Sequence, residues 1–237
     1  MKAIIMAGGK GTRLKPFTAS FPKPLVPLGD MPVLELLLRQ LKQAGVDEVI
    51  LAVNHLHHLI RAFCGDGSSF GLKIDYVLED TPLGTAGPMA AVLDDLGDDF
   101  IVTNGDLLTN FNVQEMIRRH EATAAAASIA VYERKLNIDF GLVEVDEDMR
   151  LTGYREKPSY SHLVSMGLYM LNRAAVAPHL KPGVHLDMPQ LMLLLKEDGK
   201  TVQCNHQHCV WLDIGRPDDY SAAQDLFENN RELFLKD

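Results

Sequence analysis

Short apolar runs alternate with helix-like patterns through the first half of the chain. Four runs have the length and composition of buried β-strands, at 2–6, 48–53, 72–77 and 100–103. Leucines between the first two runs recur with the i, i+3, i+4, i+7 spacing of an amphipathic helix that we expect to end near Gly45. Further helices are predicted at 55–64, 86–96 and 112–121, the last capped by Asn112. This βαβαβ order predicts a mostly parallel sheet with helices on both faces.

The pattern changes after Ala124. Four strand-like segments, ASIAVYE, GLVEVD, LTGYRE and SMGLYML, follow one another with hairpin-length connections, which predicts an antiparallel insert. A helix capped by Asp187, a strand near Val202, the segment VWLDIG and a final helix from about Pro217 complete the chain. We therefore expect one domain over residues 1–237, with a first part to about residue 123 and a second part from about residue 124.

The amino-acid composition limits the classes of function that the protein can have. The chain has 237 residues, 46% of them hydrophobic and 23% charged, as in ordinary soluble globular proteins. The net charge of −9 argues against nucleic-acid binding. There is no apolar run of membrane-spanning length and no signal peptide, so no membrane association is expected. Three cysteines, few and odd in number, favour a reducing cytoplasm.

The loop after the first strand, MAGGKGTRLKPFTASFPKPLVP, is the main candidate for chemistry. The first 29 residues contain five basic residues and no acidic one, which suits a bound anion. Glycines 8, 9 and 11 allow backbone N–H groups to approach phosphate oxygens closely. Arg13 adds a planar fork and Lys23, between two prolines, a point charge. The spacing excludes a Walker loop, and the prolines exclude the dinucleotide-binding turn that opens directly into a helix.

At this point the residues resemble a known family. The signature AGGKGTRLKPFT…FPKPLVP is similar to that of the sugar-1-phosphate nucleotidylyltransferases, and the resemblance continues through EDTPLGTAG, NGD, FGLVEV, EKP and WLDIG. It implies a Rossmann-like α/β fold with a mostly parallel sheet, flanking helices and an antiparallel sugar-side insert. It also implies that residues 1–123 form the nucleotide-binding part and residues 124–237 the sugar-binding part.

The resemblance further implies roles for individual residues. Arg13 and Lys23 would be catalytic, and Asp106 and Asp213 would hold Mg²⁺. The sugar phosphate would be bound by Gly141, Glu156 and Lys157. Nucleotide contacts would come from the glycine-rich loop, the PLGT segment and the NGD turn, namely Ala7, Gly8, Gly9, Gly11, Thr12, Arg13, Pro82, Gly84, Thr85 and Asn104.

The substrates implied are an NTP and a sugar-1-phosphate. The segment EDTPLGTAGP is similar to that of guanylyltransferases, so GTP is favoured, with mannose-1-phosphate or a related hexose, heptose or amino sugar phosphate as acceptor. Thymidylyl or uridylyl transfer, a non-catalytic nucleotide-sugar-binding subunit, and nucleotidyl transfer to a phosphorylated alcohol stay open as alternatives, and so does a homodimer. The cluster CNHQHC lacks the paired spacing of structural zinc sites, so we expect an ordinary strand there.

Overall fold

The computed structural model of the protein describes residues 1–9 and 11–235; Lys10, one of the basic residues of the N-terminal loop, lies outside this description. The described residues contain thirteen strands and six α-helices. The strands are β1 (Lys2–Met6), β2 (Pro27–Leu28), β3 (Met31–Pro32), β4 (Glu48–Val53), β5 (Lys73–Leu78), β6 (Asp99–Asn104), β7 (Leu107–Thr109), β8 (Ala127–Asn137), β9 (Leu142–Val145), β10 (Leu151–Arg155), β11 (Ser159–Asn172), β12 (Val202–His206) and β13 (Trp211–Asp213). The helices are α1 (Val33–Gln43), α2 (His57–Cys64), α3 (Val113–Thr123), α4 (Arg173–Val176), α5 (Met188–Glu197) and α6 (Pro217–Asn229).

Seven of these strands form the main sheet, in the order β12-β8-β11-β6-β1-β4-β5. Strands β6, β1, β4 and β5 are parallel, β11 is antiparallel to both β6 and β8, and β12 is parallel to β8. The expected α/β fold with a mostly parallel sheet is therefore confirmed. Alternate residues of β1 enter different cores, since Ala3 and Ile5 pack on one face of the sheet and Ile4 on the other.

Register brings the ends of the parallel strands to one edge. Met6 of β1 pairs with Ala52 of β4 and with Asn104 of β6. The loops that follow these strands therefore open on the same side of the sheet, which is where ligands bind in such folds. The glycine-rich loop and the NGD turn are two of those loops.

The predicted helix at 86–96 is wrong. The segment forms two 3₁₀ turns, at Gly87–Ala91 and Leu93–Asp95. The amides of Ala86 and Gly87 both donate to the carbonyl of Leu186. This contact fixes the start of the segment against a distant part of the chain and has no signature in the local pattern.

The predicted antiparallel insert is only partly separate. The N-terminal half of β8 and the C-terminal half of β11 belong to the main sheet, while their other halves extend from it as a two-stranded ribbon. Only β9 and β10 form a sheet of their own. The helix N-caps at Asn112 and Asp187 are confirmed: Asn112 accepts from Glu115 N–H at 2.9 Å, and Asp187 forms a capping box with Gln190.

Within the described part of the chain, no helix is long and apolar enough to cross a membrane.

Candidate active site

A cleft of about 440 Å³ opens where the ends of β1, β4, β5 and β6 meet. Its walls come from five loops, which contribute Met6, Ala7, Gly8, Gly9, Gly11, Thr12, Arg13, Lys23, Pro24, Asn54, Glu79, Pro82, Gly84, Thr85, Asn104, Gly105, Asp106 and Gly215. All ten residues predicted to contact the nucleotide line this cleft, and so do Lys23 and Asp106. The structure brings these residues together; their individual roles stay predictions.

The glycine-rich loop is held in a left-handed turn at Gly11 by local contacts. Gly11 has a φ of +58°, and a Cβ there would lie 2.8 Å from Cγ2 of Thr18. The Thr18 hydroxyl donates to the carbonyl of Gly11 at 2.7 Å, which ties the loop back on itself. Thr12 and Arg13 follow in a short 3₁₀ turn with exposed side chains. Only glycine accommodates both the backbone conformation and the close approach at position 11.

Lys23 is fixed between two carboxylates on the floor of the cleft. Its ammonium donates to Oδ2 of Asp106 and lies 3.7 Å from Oδ1 of Asp213. The Lys23 side chain is only 12% exposed, compared with 17% for Asp106 and 47% for Asp213. A 3₁₀ turn over Lys23–Leu25, with proline on either side of Lys23, holds the backbone of this lysine.

A small antiparallel sheet explains why the two aspartates meet. Strand β13 pairs with β7 so that Asp213 lies opposite Leu107, the residue after Asp106. In addition, the amide of Ile214 donates to the carbonyl of Asp106 at 3.1 Å. Two carboxylates more than a hundred positions apart in sequence are therefore held side by side by backbone hydrogen bonds, independently of their side chains.

Burial and two neighbouring charged groups perturb the pKa of the Asp106 carboxyl. Burial raises its pKa, the Lys23 ammonium acts in the opposite direction, and the Asp213 charge raises it further. Its Oδ1 atom is buried and has no hydrogen-bond partner among the described residues. A buried acceptor without a partner is unusual and indicates that a cation or donor completes the site.

The residues present fit a magnesium ion. Hard carboxylate oxygens are the ligands that Mg²⁺ prefers, usually one or two from protein with phosphate oxygens and water completing the shell. Within residues 1–9 and 11–235 there is no group of three or more His, Cys, Asp or Glu side chains arranged to hold a metal. Asp106 and Asp213 would therefore hold such an ion only together with substrate oxygens.

Glu79 and Asn54 form the opposite wall of the cleft. Each follows directly after a parallel strand, Asn54 after β4 and Glu79 after β5. Burial raises the pKa of Glu79, and its Oε2 accepts from the amide of Leu83 at 3.4 Å. Oε1 lies 3.1 Å from the position of a Cβ on Gly8, so the carboxylate faces the glycine-rich loop. Neither residue was among those predicted from the sequence, although the position of each directly after a buried parallel strand was a signal for a place in the cleft.

The segment from Pro82 to Gly87 is locked to the start of α5. Asp187 accepts from the Thr85 amide at 3.0 Å and from the Thr85 hydroxyl at 3.3 Å, and the hydroxyl oxygen in turn accepts from Met188 N–H at 2.7 Å. Gly84 has a φ of +80°, and a Cβ there would lie 2.5 Å from the carbonyl oxygen of Leu186. The wall of the cleft is thus built on a helix cap more than a hundred residues away.

The predicted sugar-phosphate residues lie apart from this cleft. Gly141 precedes β9 and packs against Tyr154 of β10, while Glu156 and Lys157 are exposed in the turn between β10 and β11. None of the three belongs to the residues that line the cleft. Asp213 lines a neighbouring cavity, although its carboxylate reaches Lys23.

Comparison with known proteins identifies the family to which the chain belongs. The family profile described as Nucleotidyl transferase matches residues 2–230. The chain belongs to the nucleotidyl transferase family. The resemblance to sugar-1-phosphate nucleotidylyltransferases found in the sequence is therefore confirmed.

Individual relatives cover nearly all of the chain. Mannose-1-phosphate guanylyltransferase 1 from Arabidopsis thaliana is 34% identical over 96% of the chain and 64% of its own length. UTP–glucose-1-phosphate uridylyltransferase from Synechocystis sp. is 30% identical over 94% of the chain and 62% of its own length. The chain thus spans less than two thirds of the length of either relative. The crystal structure of HddC from Yersinia pseudotuberculosis superposes with a TM-score of 0.74 at 25% identity, covering 95% of this chain and 99% of HddC.

Proposed function

We propose that this protein transfers a nucleotidyl group from GTP to a sugar-1-phosphate, mannose-1-phosphate or a related hexose, heptose or amino sugar phosphate, and releases pyrophosphate. Membership of the nucleotidyl transferase family and the cleft at the sheet edge support the reaction class. The observation that supports GTP is the carboxylate of Glu79 in the wall of that cleft.

The charges divide the cleft into two ends. Arg13 and Lys23 line it near Gly11, and a divalent ion held by the two aspartates that contact Lys23 would add to the attraction of that end for a triphosphate. The Glu79 carboxylate, which lies near Gly8, repels phosphate, so the base rather than the phosphates faces it. This distribution of charge favours one orientation of the nucleotide in the cleft.

Guanine suits a carboxylate better than the other bases do. Its N1–H and exocyclic amino group are adjacent donors that one carboxylate can accept together. Uracil and thymine offer one N–H between two carbonyl oxygens, and those oxygens are repelled by the same charge. A bidentate contact of this kind is worth roughly 1–3 kcal/mol of discrimination between bases.

The chain's residues supply positioning and charge for the transfer. In the proposed reaction a phosphate oxygen of the sugar phosphate attacks the α-phosphorus, the bond to the β-phosphate oxygen breaks, and pyrophosphate leaves in line. Lys23 stabilises charge at the α-phosphate, while Arg13 and the loop amides hold the leaving phosphates. A divalent ion held by Asp106 and Asp213 would neutralise phosphate charge when bound.

Base selection is tested with Glu79→Gln, which keeps the size of the side chain and removes its charge. We expect the ratio of kcat/KM for GTP over UTP to fall about 10- to 100-fold, measured by pyrophosphate release with one sugar phosphate. Asp80→Asn is the matched control, because Asp80 is exposed, adjacent in sequence and absent from the cleft wall. An unchanged ratio in Glu79→Gln contradicts the assignment of GTP through this residue.

A further inference from the structure

Strands β9 and β10 form a two-stranded sheet that has one apolar face. Val143 pairs with Tyr154, and Val145 pairs with Leu151. Directly paired residues share a face, and so do residues two apart along β9. A bulge between Leu151 and Gly153 brings Leu151 to the same face as Tyr154, although the two are three positions apart. The side chains of Val143, Val145, Leu151 and Tyr154 form what we call the hairpin face, and all four are exposed.

The opposite face of the same two strands is polar and is directed towards β11. Glu144 and Arg155 form an ion pair on it at 2.6 Å, and the Arg155 guanidinium lies 5.8 Å from the centre of the Tyr160 ring of β11. Antiparallel sheets normally turn their apolar face to the core and their polar face to water, so the polarity of this sheet is reversed. None of the hairpin-face residues belongs to the hydrophobic cores of the described part of the chain. A two-stranded sheet is only marginally stable in water without packing, so the hairpin face requires a protein surface that the described residues of one copy do not supply.

The turn that joins β9 and β10 adds an exposed apolar side chain at the end of the hairpin face. Met149 has a φ of +62° and is 77% exposed. A left-handed position in a turn favours glycine or asparagine, so a single copy of the chain gives no reason for a methionine there. Together with the hairpin face, Met149 exposes roughly 400–600 Å² of apolar side chain. Patches of this size on a monomer often mark an interaction site.

We propose that the hairpin face binds the same face of a second copy of this chain. The face carries no charged side chain, so a partner that matches it must also be apolar and uncharged, and the hairpin of a second copy meets both conditions. Two copies packed about a two-fold axis would bury about 800–1,200 Å² from the hairpin face and Met149, which is the size at which a specific dimer becomes stable. Opposite strand directions keep the acidic turns at 146–148 of the two copies apart.

The contact would also fix the sugar side of the molecule. Gly141 precedes β9, and Glu156 and Lys157 follow β10, so the three residues predicted to bind the sugar phosphate flank the hairpin. Dimer formation itself is independent of whether the protein transfers nucleotides.

Sedimentation velocity over a series of protein concentrations measures the dissociation constant of the dimer for the full chain of 26.3 kDa. Leu151→Thr removes apolar surface from the hairpin face and keeps a residue that favours strands. Val143→Thr is a second variant of the same kind. Leu163→Thr is the matched control, because Leu163 lies in β11, outside the hairpin face, and is 60% exposed compared with 66% for Leu151. Circular dichroism checks that each variant is folded.

We expect the wild type to form a particle of twice the chain mass. Each hairpin-face variant should raise the Kd of the dimer about tenfold or more, since each substitution enters the interface twice, and the control should stay within about twofold of the wild type. Hydrogen exchange of the amides at 142–145 and 151–155 should slow at concentrations where the dimer forms. A wild type that is monomeric at every concentration overturns the proposal and leaves the hairpin face to a different partner or to none. A dimer that both hairpin-face variants leave unchanged also overturns it, because the copies then meet through another surface.

Discussion

Replacing Gly84 by alanine tests how rigidly the cleft wall is built. Gly84 has a φ of +80°, and an added Cβ would lie 2.5 Å from the carbonyl oxygen of Leu186 and 2.8 Å from Oδ1 of Asp187. The first of these contacts is with backbone, so a side-chain rotation cannot relieve it. We therefore expect the Pro82–Gly87 segment to move away from the start of α5 in Gly84→Ala.

The loss of stability expected for Gly84→Ala has two contributions, which a second glycine of the chain allows to be measured separately. A left-handed conformation costs a residue with a Cβ about 1–2 kcal/mol, and overpacking against fixed neighbours adds about 1–3 kcal/mol. Gly183 has a similar φ of +75°, but an added Cβ would meet nothing within 4 Å. Gly183→Ala therefore carries the conformational cost alone, about 1–2 kcal/mol, whereas Gly84→Ala should lose about 2–5 kcal/mol.

Urea denaturation of both variants measures their free energies of unfolding. Titration with GTP measures the dissociation constant of the nucleotide in the cleft. We expect Gly84→Ala to be at least about 1 kcal/mol less stable than Gly183→Ala and to bind GTP more weakly, because the same segment carries Thr85 and positions Glu79 through Leu83. Equal stabilities for the two variants would refute the packing argument, and wild-type GTP affinity in Gly84→Ala would refute its link to the cleft.

Three further predictions concern the charged groups of the site. Asp106→Asn should fold normally and lose about 10²–10³-fold or more in kcat, so unchanged turnover would remove Asp106 from the reaction centre. Lys23→Gln leaves the buried Asp106 carboxylate without its cation and should lower the free energy of unfolding by about 3 kcal/mol. The double variant with Asp106→Asn should recover part of this loss. Strictly additive losses in that double-mutant cycle would contradict the coupling between the two side chains. Asp187→Ala removes a helix N-cap and the acceptor for Thr85, so we expect a loss of about 1–2 kcal/mol and faster amide exchange at 83–87, whereas wild-type exchange there would show that the cap does not hold this segment.

Much of the architecture follows from local pattern. Strands β1, β4, β5 and β6 were predicted within a residue or two, because each is a short apolar run between turn residues. Because these strands are parallel, the glycine-rich loop and Asp106 are expected at the same edge of the sheet, and this expectation needs no knowledge of contacts between distant residues. The helix N-caps at Asn112 and Asp187 could likewise be predicted from the neighbouring sequence.

What could not be predicted depends on contacts between distant segments. The pairing of β13 with β7 that brings Asp213 to Asp106 has no signature in either short strand. Two 3₁₀ turns stand in place of the helix predicted at 86–96, and the amides at the start of this segment bond to Leu186, which is about a hundred residues away. The halves of β8 and β11 that enter the main sheet are more apolar than the halves that leave it, but the strand pattern alone does not show that they pair with β12 and β6.

The most direct test of the account is pyrophosphate release by the purified protein with Mg²⁺, measured for each of GTP, UTP, dTTP and ATP against mannose-1-phosphate, glucose-1-phosphate and an amino sugar phosphate. We expect release that requires both substrates and is fastest with GTP. Release with UTP or dTTP at equal or greater efficiency would contradict base selection by Glu79, and no release with any pair would contradict nucleotidyl transfer itself.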